Sequence, residues 1–203
     1  MDRTICASLM FRKLYQDING YAVSGTAPEE VKKNYSLLYG EVPFLTWKQI
    51  VERAQPKKDG VFFDLGSGVG RVAMLSYLLF DFQKCIGIEL VEPLHQMALL
   101  AQENFGKHQF QAALVSCVER DLEFICGDIF DADLSEADFI FLNYPFRNPE
   151  VLQRLEEKML QELKPKTKIV TVLWQLKNPA FKLLGSENYK FSWGKSPAYF
   201  FEV

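Results

Sequence analysis

The sequence predicts an α/β fold in which a mostly parallel, seven-stranded sheet carries helices on both faces, in a doubly wound arrangement. A chain of 203 residues is long enough for one domain with a sizeable core. From about Val61 onward, short runs rich in Val, Ile and Phe alternate with longer amphipathic stretches, a pattern typical of parallel strands joined by right-handed crossover helices. The two final apolar runs are separated only by residues 194–197, which leaves no room for a helix. They predict an antiparallel C-terminal hairpin at one edge of the sheet.

Strands are predicted where short runs of β-branched and aromatic residues end at turn-forming or acidic residues. The first run ends at a glycine cluster, the second carries Glu89 near its end, the third ends at Gly127-Asp128 and the fourth ends at Asn143. The predicted strands are residues 61–65, 84–90, 122–126, 137–142, 168–174, 189–193 and 198–203.

Three helices are predicted between these strands from their apolar spacing. Residues 72–80 are apolar on most sides and are expected to be buried. Residues 92–105 contain Pro93, which a helix tolerates in its first turn, and residues 151–163 show an amphipathic pattern.

The first part of the chain shows no strand pattern. Helices are predicted at residues 11–18, 29–38 and 46–54, and the first two are separated by turn-rich residues that include Asn19-Gly20. We therefore divide the chain into a helical N-terminal cap, residues 1–55, and a Rossmann-like domain, residues 56–203.

Charge and cysteine usage limit the classes of partner. The net charge is −3 and the basic residues are scattered, whereas a domain that binds nucleic acid usually presents a basic face, so nucleic acid is an improbable partner. No apolar run is long enough to cross a bilayer and no signal peptide is evident, so we expect no membrane partner and a cytoplasmic location. The four cysteines form no CxxC pair and there are only two histidines, so no metal is expected.

The loop after the first predicted strand carries glycines at alternate positions, Gly66, Gly68 and Gly70, with Ser67 between them. This spacing differs from the GxGxxG of dinucleotide sites and suits a ligand that lies close along the backbone without a pyrophosphate cradle. Asp64, just before the loop, is placed to receive an amino group through a charge-assisted hydrogen bond. The alternatives are a tight turn without a ligand and, for Asp64, a buried acid bonded to loop amides.

Two acids follow the second and third predicted strands. Glu89 can accept hydrogen bonds from both hydroxyls of a ribose, because an ionised carboxylate is an acceptor with two oxygens. Asp128 can accept from the exocyclic amine of an adenine, with Ile129 against the ring. The alternative for each acid is a residue that ends a strand or forms a turn.

The fourth predicted strand ends at Asn143-Tyr144-Pro145-Phe146, where a substrate would meet a bound cofactor. The Asn143 carbonyl oxygen can accept from a nitrogen donor of the substrate, and Tyr144 can form a wall of the pocket. We therefore predict Asn143 and Tyr144 as catalytic residues, with Asn143 also at the cofactor. A tight turn containing proline is the alternative.

These motifs, in this order and spacing, resemble those of class I S-adenosylmethionine-dependent methyltransferases. With Tyr39-Gly40-Glu41 upstream of the glycine loop, they are most similar to the disruptor-of-telomeric-silencing group of histone-lysine methyltransferases. The resemblance implies that the Tyr-Gly-Glu loop folds over the methionine end of the cofactor, with Glu41 at its amino group, Glu89 at the ribose and Asp128 at the adenine. The chain departs from that group at Ile129, where the group has an aromatic residue, and after Asn143, where it has a second asparagine.

The sequence therefore predicts an S-adenosylmethionine-dependent methyltransferase, with S-adenosylhomocysteine as product, that N-methylates a protein amine of the lysine type. A methyltransferase of a small molecule or nucleobase and a catalytically silent cofactor-binding module remain alternatives. The oligomeric state is open.

Overall fold

A computed structural model describes residues 2–25, 39–107, 120–143 and 148–203. Its seven strands form one sheet in the order β3-β2-β1-β4-β5-β7-β6, with β1 to β5 parallel and β7 antiparallel to both of its neighbours. The predicted doubly wound sheet with a C-terminal hairpin is therefore confirmed. The strands are β1 (Val61–Leu65), β2 (Lys84–Glu89), β3 (Asp121–Cys126), β4 (Phe139–Asn143), β5 (Lys168–Val172), β6 (Lys182–Phe191) and β7 (Gly194–Glu202).

The helices between the strands match the predicted ones to within two residues at each end. In the described part of the chain, no helix is long and apolar enough to span a membrane. The described helices are α1 (Arg3–Leu14), α2 (Gly20–Ser24), α3 (Phe44–Ala54), α4 (Arg71–Leu79), α5 (Glu92–Lys107) and α6 (Pro149–Glu162).

The N-terminal helices differ from the prediction because two polar side chains cap them. The Asp2 carboxylate accepts a hydrogen bond from the Thr4 amide at 2.7 Å, so α1 begins earlier than predicted. The Asn19 side chain accepts from the Ala22 amide at 3.2 Å, so the predicted turn at Asn19-Gly20 is the start of the short helix α2. The predicted helix at residues 29–38 lies outside the described residues.

The hairpin is longer than predicted. β6 begins at Lys182, and its first half is mostly exposed, so it lacks the apolar run that marks a strand in the sequence. Pro197 lies inside β7 opposite Asn188, not in a connecting turn. The last pair between β5 and β7 joins Val172 to Ala198, so the hairpin tip continues beyond the carboxyl edge of the parallel strands.

Alternate residues of each central strand pack on opposite faces of the sheet. Phe62 and Phe141 belong to the core cluster that also contains residues of the N-terminal helices, whereas Phe63 and Ile140 belong to the cluster under α6. The cap helices and the sheet thus share one core cluster, and the division at residue 55 stays a prediction.

Trp47 of α3 lies at the centre of the first cluster. Its side chain is fully buried, contacts the rings of Phe62 and Phe141 at centroid distances of 5.5 and 4.8 Å, and donates from Nε1 to Ser76 Oγ at 3.0 Å. It joins the cap to both the sheet and α4.

Replacing Trp47 with alanine should lower the free energy of unfolding by about 3–5 kcal/mol, because it leaves a large cavity in a packed core. Urea denaturation followed by circular dichroism measures this change. Leu45→Ala, on the same helix at a position 67% exposed, is the matched control and should change stability little. A loss below about 1 kcal/mol in Trp47→Ala would contradict the central role of this side chain.

Candidate active site

The glycine loop connects β1 to α4 at the carboxyl edge of the sheet. Gly66, Gly68 and Gly70 adopt positive φ angles of 83°, 56° and 76°, which residues with a Cβ rarely adopt. The amides of Gly66 and Ser67 both donate to the Ile88 carbonyl at 2.9 Å. The loop is therefore fastened to the end of β2.

The three glycines differ in what surrounds them. A Cβ on Gly66 would meet no atom within 4 Å, so this side of the loop is open to a ligand. A Cβ on Gly68 would lie 2.9 Å from the ring of Tyr39, and one on Gly70 would lie 2.5 Å from the ring of Phe124. Gly70 therefore leaves room for the Phe124 ring, its predicted cofactor contact stays a prediction, and Gly66 is open to the approach of a ligand.

Glu89 ends β2 directly beside this loop. Its carboxylate is 7% exposed and accepts hydrogen bonds from the Gly68 amide at 2.7 Å and the Val91 amide at 2.8 Å. Burial raises the pKa of this carboxyl, and the backbone amides oppose that rise. Each carboxylate oxygen can accept more than one hydrogen bond, so these contacts are compatible with the predicted ribose role.

Asp64 and Ser67 contribute buried polar atoms to the same edge. Asp64 is 3% exposed, and its Oδ2 atom and the Oγ atom of Ser67 have no hydrogen-bond partner among the described residues. Burial, and then the nearby Glu89 carboxylate, raise the pKa of Asp64 from its ordinary 3.8 to about 8. Buried polar atoms without partners are rare in folded proteins, and here they fit a polar ligand in the loop.

The segment after β3 lies beside Glu89, because the Gly127 amide donates to the Glu89 carbonyl at 2.9 Å. Asp128 is half-buried, and its Oδ1 atom accepts from the Phe130 amide at 2.9 Å, which closes a local turn. Ile129 is 7% exposed and belongs to the core cluster under α6. The adenine contacts of Asp128 and Ile129 stay predictions.

Tyr39, Gly40 and Glu41 form a cover over the glycine loop. The Tyr39 ring packs on Gly68, and its hydroxyl donates to Glu41 Oε1 at 3.0 Å. Burial raises the pKa of the Tyr39 hydroxyl, so it acts here as a hydrogen-bond donor and not as an anion. The Gly40 carbonyl accepts from Asn143 Nδ2 at 3.3 Å, which connects the cover to the end of β4.

The hairpin tip holds this cover from the other side. The Glu41 amide donates to Ser192 Oγ at 2.9 Å, and the Ser192 amide donates to the Glu41 carbonyl at 3.2 Å. A Cβ on Gly40 would lie 2.5 Å from the Trp193 ring, which stacks on Phe191 at a centroid distance of 4.6 Å. Sequence reasoning missed Ser192 and Trp193, because periodicity carries no information about contacts between distant segments.

The structure thus gathers most of the predicted site residues at one edge of the sheet: Glu41, Asp64, Gly66, Ser67, Gly68, Glu89 and Asn143. Tyr144 lies outside the described residues. Arg71, the first residue of α4, lies with Nε 3.5 Å from Glu41 Oε2. Within the described ranges, no group of three or more side chains is arranged to hold a metal ion.

The strand order, the glycine loop after β1 and the buried acid at the end of β2 define a class I S-adenosylmethionine-dependent methyltransferase. A model of the family described as histone methylation protein DOT1 matches residues 26–191, and the chain belongs to this family. The cofactor fits the site, because the loop is open at Gly66 and because Asp64, just before the loop, carries a buried oxygen without a partner among the described residues.

Two relatives with established names match a large part of the chain. A protein-lysine N-methyltransferase from Saccharolobus islandicus is 27% identical over 133 residues, which cover 66% of this chain and 74% of the relative. A histone-lysine N-methyltransferase specific for lysine 79 of H3, from Caenorhabditis elegans, is 28% identical over 167 residues, which cover 74% of this chain and 17% of the relative.

Solved structures share the fold. An RNA methyltransferase from Salinibacter ruber, crystallised with S-adenosyl-L-homocysteine, superposes with a TM-score of 0.61 at 24% identity. The superposition covers 80% of this chain and 93% of the RNA methyltransferase chain. TrmN from Thermus thermophilus superposes with a TM-score of 0.57 at 18% identity, and the superposition covers 79% of this chain and 49% of the TrmN chain.

Alanine at Gly66 and alanine at Gly70 should have different effects. Both substitutions place a Cβ at positive φ, at a cost of about 1–2 kcal/mol. Only Gly70→Ala also forces a Cβ against Phe124, so it should destabilise the protein further, by about 1–3 kcal/mol. Only Gly66→Ala should block cofactor binding, measured by calorimetric titration with S-adenosylhomocysteine. Wild-type affinity in Gly66→Ala would show that the cofactor does not lie against this glycine.

The raised pKa of Asp64 makes the stability of the ligand-free protein depend on pH. The folded state keeps the proton up to about pH 8, whereas the unfolded chain loses it near the ordinary value of 3.8, so this contribution is complete below pH 3.8 and is lost as pH rises toward 8. Asp64→Asn should therefore flatten the decline in stability between pH 6 and 8, measured by urea denaturation. Asp81→Asn is the control, since the hydrogen bond from Arg3 lowers the pKa of Asp81 below its ordinary 3.8, so Asp81 does not titrate between pH 6 and 8. An equally steep decline in Asp64→Asn would contradict the assignment.

Proposed function

We propose that this chain transfers a methyl group from S-adenosylmethionine to the side-chain amine of a lysine in a protein substrate. The observation that carries the proposal is the family match over residues 26–191, a span that includes the cover, the glycine loop and Asn143. The relative from Saccharolobus islandicus, named a protein-lysine N-methyltransferase, supports the same acceptor.

The residues that would hold the cofactor lie along the carboxyl edge of β1, β2 and β3. Asp64 and Glu41 would receive its amino group, Glu89 its ribose hydroxyls and Asp128 its adenine. The bound cofactor supplies an electrophilic methyl carbon on a sulfonium. The cover formed by Tyr39, Gly40 and Glu41 would limit the access of water to this edge.

Asn143 would orient the acceptor amine. Its Nδ2 atom donates to the Gly40 carbonyl at 3.3 Å, so Oδ1 is the atom of this amide that can accept from an amine N–H. Such a hydrogen bond would fix the direction of the nitrogen lone pair, and alignment of two reacting groups is a large source of rate enhancement. The lysine must react as the neutral amine, which a site with little water favours.

The acceptor has two further candidates, a small molecule and a nucleobase, and a silent cofactor-binding module is the third alternative. The scattered basic residues and the net charge of −3 disfavour a large nucleic acid. The cysteines Cys6, Cys85 and Cys126 are free, which favours a reducing compartment such as the cytoplasm.

The acceptor class can be tested with methyl-tritiated S-adenosylmethionine. The protein is incubated with cell lysate, and the label is separated into protein, nucleic acid and small-molecule fractions. We expect label in protein, recovered after acid hydrolysis as methylated lysine. Label confined to RNA or small molecules would overturn the lysine proposal, and no transfer despite cofactor binding would support the silent module.

Asn143→Ala should lower the methylation rate about a hundredfold, because the acceptor loses its orientation, while affinity for S-adenosylhomocysteine changes little. The rate is measured by tritium transfer and the affinity by calorimetry. Asn188→Ala, at an exposed position of β6, is the matched control and should keep the wild-type rate. Unchanged turnover in Asn143→Ala would exclude an orienting role for this side chain.

A further inference from the structure

Arg71 begins α4 directly after the glycine loop, and its side chain is only 22% exposed. Its Nε atom lies 3.5 Å from Glu41 Oε2, and this Nε has no hydrogen-bond partner among the described residues. The contact is therefore an ion pair that is longer than a direct hydrogen bond. It leaves the Glu41 carboxylate able to accept hydrogen bonds from a ligand.

Two rings of the N-terminal segment hold the guanidinium in place. The Arg71 guanidinium lies 4.8 Å from the ring centroid of Phe11 and 4.7 Å from that of Tyr15. The Tyr15 hydroxyl donates to the Val69 carbonyl at 3.2 Å, in a fully buried contact, so this ring is tied to the glycine loop itself. Both distances are within the range of cation–π contacts, which arginine makes more often than lysine.

The Glu41 carboxylate is thereby fixed from two sides. The Tyr39 hydroxyl donates to Oε1 at 3.0 Å, and Arg71 faces Oε2 at 3.5 Å. The Tyr39 ring at the same time rests on Gly68. The position of the carboxylate over the loop thus depends on α1 through one arginine.

We propose that Arg71, packed against Phe11 and Tyr15, is a positioning residue that fixes the Glu41 carboxylate for the amino group of the cofactor. α1 then contributes to the cofactor site as well as to the core cluster. The inference uses the predicted cofactor contact of Glu41 and is independent of whether the acceptor is a lysine.

A double-mutant cycle tests this proposal with S-adenosylhomocysteine alone, measured by calorimetric titration of the full chain. Arg71→Gln and Glu41→Gln should each weaken binding about tenfold, which corresponds to the loss of one charge-assisted contact. If Arg71 acts through Glu41, the double variant binds no more weakly than Glu41→Gln. Additive losses, or wild-type affinity in Arg71→Gln, would overturn the positioning role. Wild-type affinity in Glu41→Gln would overturn the premise that Glu41 contacts the amino group of the cofactor. These binding measurements do not depend on the acceptor, so they stay valid if the methyl group goes to something other than lysine.

Two further variants separate positioning from simple structural support. Phe11→Leu keeps an apolar side chain but removes one of the two rings that the Arg71 guanidinium contacts, and it should weaken binding in the wild-type background and not in Glu41→Gln. Its effect keeps the proposal testable even where Arg71→Gln fails to fold. Arg71→Lys should recover only part of the affinity, because lysine keeps the charge but lacks the planar guanidinium with its several donors. Arg12→Gln is the control, because Arg12 is an exposed arginine next to Phe11 on α1, and this variant should bind as the wild type.

Discussion

The buried carboxylate of Glu89 is the interaction on which the rest of the site depends. By accepting from the Gly68 and Val91 amides, it joins the glycine loop after β1 to the start of α5 after β2. The loop amides that donate to Ile88 reinforce the same junction. A carboxylate buried to this degree is tolerated because amides satisfy it. In turn, the hydrogen bond to the carboxylate holds Gly68 at its positive φ.

The charges at the carboxyl edge of the parallel strands favour a cationic ligand. Glu41, Asp64 and Glu89 bring three carboxyl groups together, and Arg71 is the basic group that the structure places against one of them. Asp64 keeps its proton near neutral pH because burial and Glu89 oppose its ionisation. A positively charged ligand group would relieve this opposition, which is consistent with a sulfonium cofactor that also carries an amino group.

Much of this arrangement can be predicted from local sequence patterns. β1 was predicted at its observed bounds, the other parallel strands to within two residues, and the acids at the strand ends follow from the topology of a parallel sheet. Other features depend on tertiary contacts, which periodicity does not encode. The sequence does not reveal that Gly70 leaves room for the Phe124 ring, and the exposed start of β6 gives no apolar signal. The contact of the Arg71 guanidinium with the Phe11 ring likewise has no signature in either segment.

The contact between Glu41 and Ser192 joins residues 151 positions apart. The hairpin tip therefore has to fold back onto the sheet before the cover has both of its supports. We expect a chain truncated before β6 to keep the glycine loop but to lose the contacts of Ser192 and Trp193 that hold the cover in place.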